Sequence, residues 1–133
     1  MSITWLNVYD THIRVIDDQH RILVDMINDL ADATGKENES KLIRDLFFKL
    51  VDYTKYHFTQ EENLMTSSNY PKIAEHIGQH KAFVNQIVEM LEKIKEGNAN
   101  ISEKLNMFLM KWLIKHILGY DKEFANFYRI VSR

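Results

Sequence analysis

Apolar residues recur every three or four positions along most of this chain, and histidines and carboxylates stand on the same stripes. That period belongs to amphipathic α-helices that pack through one face. The stripes read His20, Leu23, Ile27, Leu30; then Leu46, Leu50, Tyr53, His57, Glu61, Met65; then Ile73, His76, His80, Phe83, Ile87, Leu91, Ile94; and last Leu105, Leu109, Trp112, His116. A polar group buried without a partner costs roughly 2–7 kcal/mol, and an ordinary domain has only about 5–15 kcal/mol of stability. His20, His57, Glu61, His76, His80, His116 and Asp121 therefore need a partner in common. Imidazole with carboxylate is the donor set for iron, zinc or manganese, so the stripes point to a metal site inside a helix bundle.

The sparse punctuation sets the helix boundaries. Asp17 is a candidate N-cap for a helix over about 18–34 that stops at Gly35, and Ser40 for a second over about 40–66. Ser67-Ser68-Asn69-Tyr70 reads as a turn, and Pro71 suits the first position of a third helix over about 72–96, stopped by Gly97-Asn98. Ser102 with Glu103 opens a fourth over about 102–118, and a short closing segment spans about 121–131. Residues 1–16 form a non-helical arm, with Trp5, Val8 and Ile13 as its anchors. Short links between long helices favour antiparallel neighbours. The expected fold is all-α, an up-down-up-down four-helix bundle in one domain over 1–133.

Composition narrows the function. With no cysteine among 133 residues, disulfides, thiolate metal sites, iron–sulfur clusters and cysteine nucleophiles are excluded. A net charge of -2 gives no electrostatic footprint for nucleic acid. No stretch approaches the ~20 apolar residues of a membrane span, and the first residues lack the basic and apolar regions of a signal peptide. The expectation is a cytoplasmic protein with no nucleic-acid or membrane partner.

The seven polar residues share a level as well as a stripe. His57 and Glu61 are four apart, as are His76 and His80, which puts each pair on one helix face a turn apart. His20 and His76 come early in their helices, while His57 and His116 come late, so an antiparallel bundle brings them together. His116 and Asp121 are five apart, a poorer match to a straight helix, with Gly119 between them as a place for the backbone to relax. Five imidazoles and two carboxylates exceed the four ligands of a tetrahedral zinc site. Two bridging carboxylates with five terminal histidines would serve two metals, one holding three imidazoles and the other two.

With Ile16-Asp17-Asp18-Gln19-His20, Tyr56-His57-Phe58, Glu61-Glu62, Tyr70-Pro71 leading to His76 and His80, Trp112-Leu113, His116-Ile117 and Asp121-Lys122, the chain resembles the hemerythrins, specifically the bacterial single-domain form. The resemblance covers nearly the whole chain. It implies a non-haem di-iron protein that binds dioxygen reversibly for storage, delivery or buffering, and is not an enzyme. His76, His80 and His116 would hold one iron and His20 and His57 the other. Glu61 and Asp121 would bridge them beside an oxo or hydroxo group. Phe58, Trp112, Leu113 and Ile117 would line a dry dioxygen pocket. His12 departs from the family pattern, which often has glycine there, and is not counted among the ligands.

Blander readings stand beside each residue. A single histidine on an apolar face is more often a hydrogen-bonded core residue than a ligand. Glu62 reads as a boundary charge, and Met26, Met65, Met90, Met107 and Met110 as packing. Two other functions use the same centre: a sensor of O2 or redox state acting through a separate partner, and a di-iron peroxidase or oxidase. The second is disfavoured because no Glu-x-x-His motif occurs in the chain.

Overall fold

The computed structural model describes residues 3–95 and 101–132. Helix α1 spans Arg14–Ala33, α2 Glu39–Ser67, α3 Ile73–Lys95, α4 Ile101–His116 and α5 Lys122–Val131. Helices α1 to α4 form the bundle, each touching the next and α4 returning to α1. Neighbouring helices run in opposite directions, since His20 and His76 near two helix starts meet His57 and His116 near two helix ends. The fold is the expected four-helix bundle. Among the described residues no helix is long and apolar enough to cross a membrane.

Two apolar clusters fill the interior. The larger joins all four long helices through residues such as Leu30, Phe47, Ile87 and Leu105. The smaller gathers Ile13, Ile16, Met65, Tyr70 and Phe124 where α5 closes the opposite end. The histidines and carboxylates lie between them. Along α2 the deepest stripe runs Ile43, Phe47, Leu50, Thr54, His57, Glu61, while Leu46 and Tyr53 are only partly buried against it.

The helix starts differ from the sequence reading. Helix α1 begins at Arg14, and Asp17 lies inside its first turn instead of capping it. From there the Asp17 carboxylate reaches back, accepting from the Thr11 N–H and hydroxyl, each at 2.8 Å, and from the His12 N–H at 3.1 Å. It ties the arm to the helix, satisfying donors outside the first turn instead of within it. Ser40 also lies within its helix, whose N-cap is Asn38. Pro71 sits in the turn before α3, and the first helical residue is Ile73. Ser102 stands inside the first turn of α4, and the Gly97-Asn98 stop lies outside the described residues.

The arm contains one 3₁₀ turn, Asn7–Tyr9. Its anchors are Ile3, Tyr9 and Ile13, with Trp5 partly buried, whereas Val8 is 51% exposed and anchors nothing by its side chain. Asn28 pairs with the Ile3 backbone through both its amide atoms, at 2.6 and 2.8 Å. His12 is exposed with φ 65°, in the left-handed region that favours glycine.

Candidate metal centre

Each long helix delivers its polar residues to one level. Helix α1 supplies His20, α2 His57 and Glu61, α3 His76 and His80, and α4 His116. Asp121 follows α4 in a π-helical turn over Ile117–Asp121. In a regular α-helix, residues five apart point about 140° away from each other. The wider π turn brings them together, and His116 Nε2 lies 3.0 Å from Asp121 Oδ1. The extra residue per turn, a local winding and not a break in the helix, resolves the five-residue spacing.

All seven residues are buried, none more than 3% exposed. They fall into two overlapping groups: Glu61 with His76, His80 and His116, and Glu61 with His20, His57 and Asp121, the donor atoms of each group lying within 4.8 Å of one another. Both carboxylates straddle the two groups. Glu61 Oε1 lies 2.6 Å from His76 Nε2 and 3.1 Å from His80 Nε2, while Oε2 lies 3.6 Å from His57 Nε2. Asp121 Oδ1 lies 3.1 Å from His76 Nε2, while Oδ2 lies 2.9 Å from His20 Nε2.

Closeness here is not satisfaction. Nε2 of His20, His57 and His76, Oε2 of Glu61 and both oxygens of Asp121 have no hydrogen-bond partner despite these contacts. Apart from His80 Nε2 with Glu61 Oε1, most of these donors converge without pairing, a pattern that suits a cation at the point of convergence. The His80 and His116 Nε2 atoms are 3.2 Å apart, again the approach of two ligands.

Proton affinities follow from the same crowding. Burial lowers the His57 pKa to about 4. Burial also opposes charge on His76 and His116, but the Asp121 and Glu61 carboxylates outweigh it and raise them to about 9 and about 10. Burial pushes both carboxylates up, and Asp121 further raises Glu61, yet the surrounding imidazoles hold Glu61 and Asp121 below their ordinary values. Without metal the cluster balances two carboxylates with protonated histidines, and a cation would replace those protons.

Two residues that the sequence reading gave no role hold the outer nitrogens of the imidazoles. His57 Nδ1 lies 2.6 Å from Gln19 Oε1, and His80 Nδ1 2.9 Å from Glu62 Oε2. Such contacts fix the ring tautomer and leave Nε2 free to bind a metal. Glu62, read as a boundary charge, instead touches His80. Each follows or precedes a predicted ligand directly, but adjacent residues on a helix point about 100° apart. Only the packing of α1 on α2, and of α2 on α3, shows that they reach the site.

The aromatic residues flank the rings. Phe58 stacks on His80 with centroids 3.7 Å apart, and Trp112 on His116 at 4.4 Å. A cavity of about 10 Å³ adjoins His20, His57 and His116, walled by Leu23, Ile27, Leu50, Phe83 and Leu109. Phe58, Trp112 and Leu113 also line it, whereas Ile117 is buried in the same core outside the cavity wall. About 10–15 Å³ is what one water-sized molecule needs.

A four-helix bundle whose helices converge on a buried histidine–carboxylate cluster defines the class, a cation-binding helical protein. The family described as the hemerythrin HHE cation binding domain matches residues 11–128. The bacteriohemerythrin of Stenotrophomonas maltophilia is 33% identical over 93% of this chain and 80% of its own length. That of Methylococcus capsulatus is 31% identical over 90% of this chain and 92% of its own. A crystal structure of wild-type hemerythrin superposes with a TM-score of 0.86 at 29% identity, covering 95% of this chain and 97% of that one. The chain belongs to the hemerythrin family.

Proposed function

We propose that the cluster holds two iron ions, without haem, and that the protein binds dioxygen reversibly. The observation that carries this reading is the straddling of Glu61 and Asp121. Each carboxylate presents one oxygen to the three-histidine group and the other to the two-histidine group. His76, His80 and His116 would hold one ion, His20 and His57 the other, and the two carboxylates would bridge. Iron bound there would supply a redox-active centre able to bind dioxygen.

The chain's own residues set the conditions for reversibility. The cavity adjoins both imidazoles of the two-histidine group and, of the other three, only His116. Phe58, Trp112 and Leu113 keep it small and apolar, while Ile117 is buried in the adjoining core. Excluding water protects a bound gas from proton-driven loss. Apart from the three imidazoles, the polar groups of the lining are the Trp112 indole N–H and the Thr54 hydroxyl, and that hydroxyl already donates to the Leu50 carbonyl at 2.7 Å. Among the described residues no carboxylic acid lines the cavity to drive cleavage of an O–O bond, which favours a binding protein over a peroxidase or oxidase.

The test is an anaerobic optical titration of the iron-loaded protein with dioxygen, followed by its removal. A visible band that grows with O2 and disappears under inert gas is the expected result. An irreversible change, or steady consumption of peroxide with a reductant, would move the function to redox catalysis. Iron analysis of the same sample should give two ions per chain.

A further inference from the structure

The two groups differ in what holds the outer nitrogen of their imidazoles. His80 Nδ1 faces a carboxylate, Glu62, and His57 Nδ1 faces a neutral amide, Gln19. The Nδ1 atoms of His20, His76 and His116 have no partner among the described residues. Both Glu62 and Gln19 accept from Nδ1–H and so place the free electron pair on Nε2. Only the carboxylate also adds charge, which pulls on the Nδ1 proton and makes Nε2 a stronger donor.

Each partner suits its place. Gln19 is 5% exposed, where an uncompensated charge would be costly. Glu62 is 32% exposed and opens onto a surface groove that Lys55 and Lys81 also line. Meanwhile the Phe58 ring lies parallel to His80, at 4°, and holds its plane independently of Glu62. Charge and orientation on His80 are therefore separable.

We infer that Glu62 is a positioning residue that strengthens metal binding at the three-histidine position through its charge, while Gln19 keeps the two-histidine position electronically weaker. This rests on the two-position reading above. The consequence is an unequal pair, with the firmer hold at the three-histidine position, of which only His116 reaches the apolar cavity. The neutral Gln19 leaves the metal beside the cavity less electron-rich, so the asymmetry lies in the protein before any gas binds.

The experiment is a titration of the metal-free protein with cobalt(II), followed by its visible absorption and by competition with a chelator. Glu62→Gln keeps the acceptor and removes the charge. It is expected to weaken one of the two binding steps by about 10–100-fold and leave the other unchanged. Glu62→Asp, which retains the charge, should restore much of that loss. Both steps unchanged in Glu62→Gln, or both weakened equally together with a lower melting temperature of the metal-free protein, would overturn the inference. If the unsubstituted protein takes up a single cobalt, the two-position reading fails, and Glu62 is judged on that one step: weakened supports its role, unaltered refutes it.

Discussion

The three-histidine and two-histidine sides of the centre share two carboxylates but differ in their surroundings. Around His76, His80 and His116 the space is taken by protein: Phe58 stacks on the His80 ring, Trp112 on that of His116, and Tyr120 lies near-parallel to His116 at 5.7 Å. Around His20 and His57 the rings meet edge to face at 4.8 Å, and beyond them lies the apolar cavity. His116 alone of the first three also reaches that cavity. One side is closed by packing and the other is left a gap of molecular size. On the two-ion reading proposed above, such a centre would leave room for a small apolar ligand on one side.

Removing what the sides share should have the largest effect. Glu61→Ala deletes the oxygens facing both groups and leaves raised-pKa imidazoles buried without their counter-charge. Breaking a buried pair in this way typically costs about 3–5 kcal/mol. The variant should retain fewer than two irons per chain by metal analysis; a full complement with normal O2 colour would refute the shared role.

Stripping the metal comes next. Nine buried side-chain atoms, on six of the seven residues, have no hydrogen-bond partner, so the metal-free protein should melt below the loaded form. Its pH response has a definite sign. His76 and His116 are raised to about 9 and 10, so the stability they lend is full below the ordinary imidazole value and is lost as pH rises through those values. Glu61 and Asp121 act oppositely, their contribution being lost as pH falls through their depressed values. A cation must displace the histidine protons, so its affinity should rise by up to about tenfold per pH unit for each proton displaced. A calorimetric titration across several buffers at pH 6 and pH 8 would count those protons; zero release would contradict the protonated cluster.

Single-side substitutions sharpen the comparison. His57→Ala removes a donor beside the cavity, whereas His80→Ala removes one on the packed side. The first should abolish O2 colour while leaving metal on the three-histidine side, and the second should chiefly lower metal retention. Identical loss in both would erase the distinction. Leu23→Phe fills the cavity wall without touching a donor. It should cost about 1–3 kcal/mol by overpacking and weaken O2 binding at unchanged iron content.

The smallest effect lies outside both sides. His12→Gly relieves a left-handed backbone and should stabilise the fold by about 0.5–1 kcal/mol, read as a higher melting temperature at unchanged iron content. A lower melting temperature would show that the His12 side chain contributes more than its backbone strain costs.

Much of this was legible in the residue order. The stripe through His57 and Glu61 gives helix α2 its inner face, and the early and late placement of His20, His57, His76 and His116 sets a common height in an antiparallel bundle. Asp121 was legible only in part. Its five-residue offset from His116 signalled a departure from regular winding, and the π turn over Ile117–Asp121 is its form. The arm was harder. Val8 and Ile13 look equally apolar in the chain, but only the packing of the arm against the bundle buries one and exposes the other.

By itself the sequence determined the helices, their inward faces and the set of polar residues brought to one level, because helical periodicity is local and repeats every 3.6 residues. Tertiary structure decided which oxygen of Glu61 faces which histidines, that Gln19 and Glu62 reach across to neighbouring helices, and where the cavity lies. Those depend on side-chain rotamers and on contacts between residues distant in the chain, such as Gln19 and His57, 38 positions apart. A local period specifies direction and height along a helix; only the packed bundle specifies distance across it.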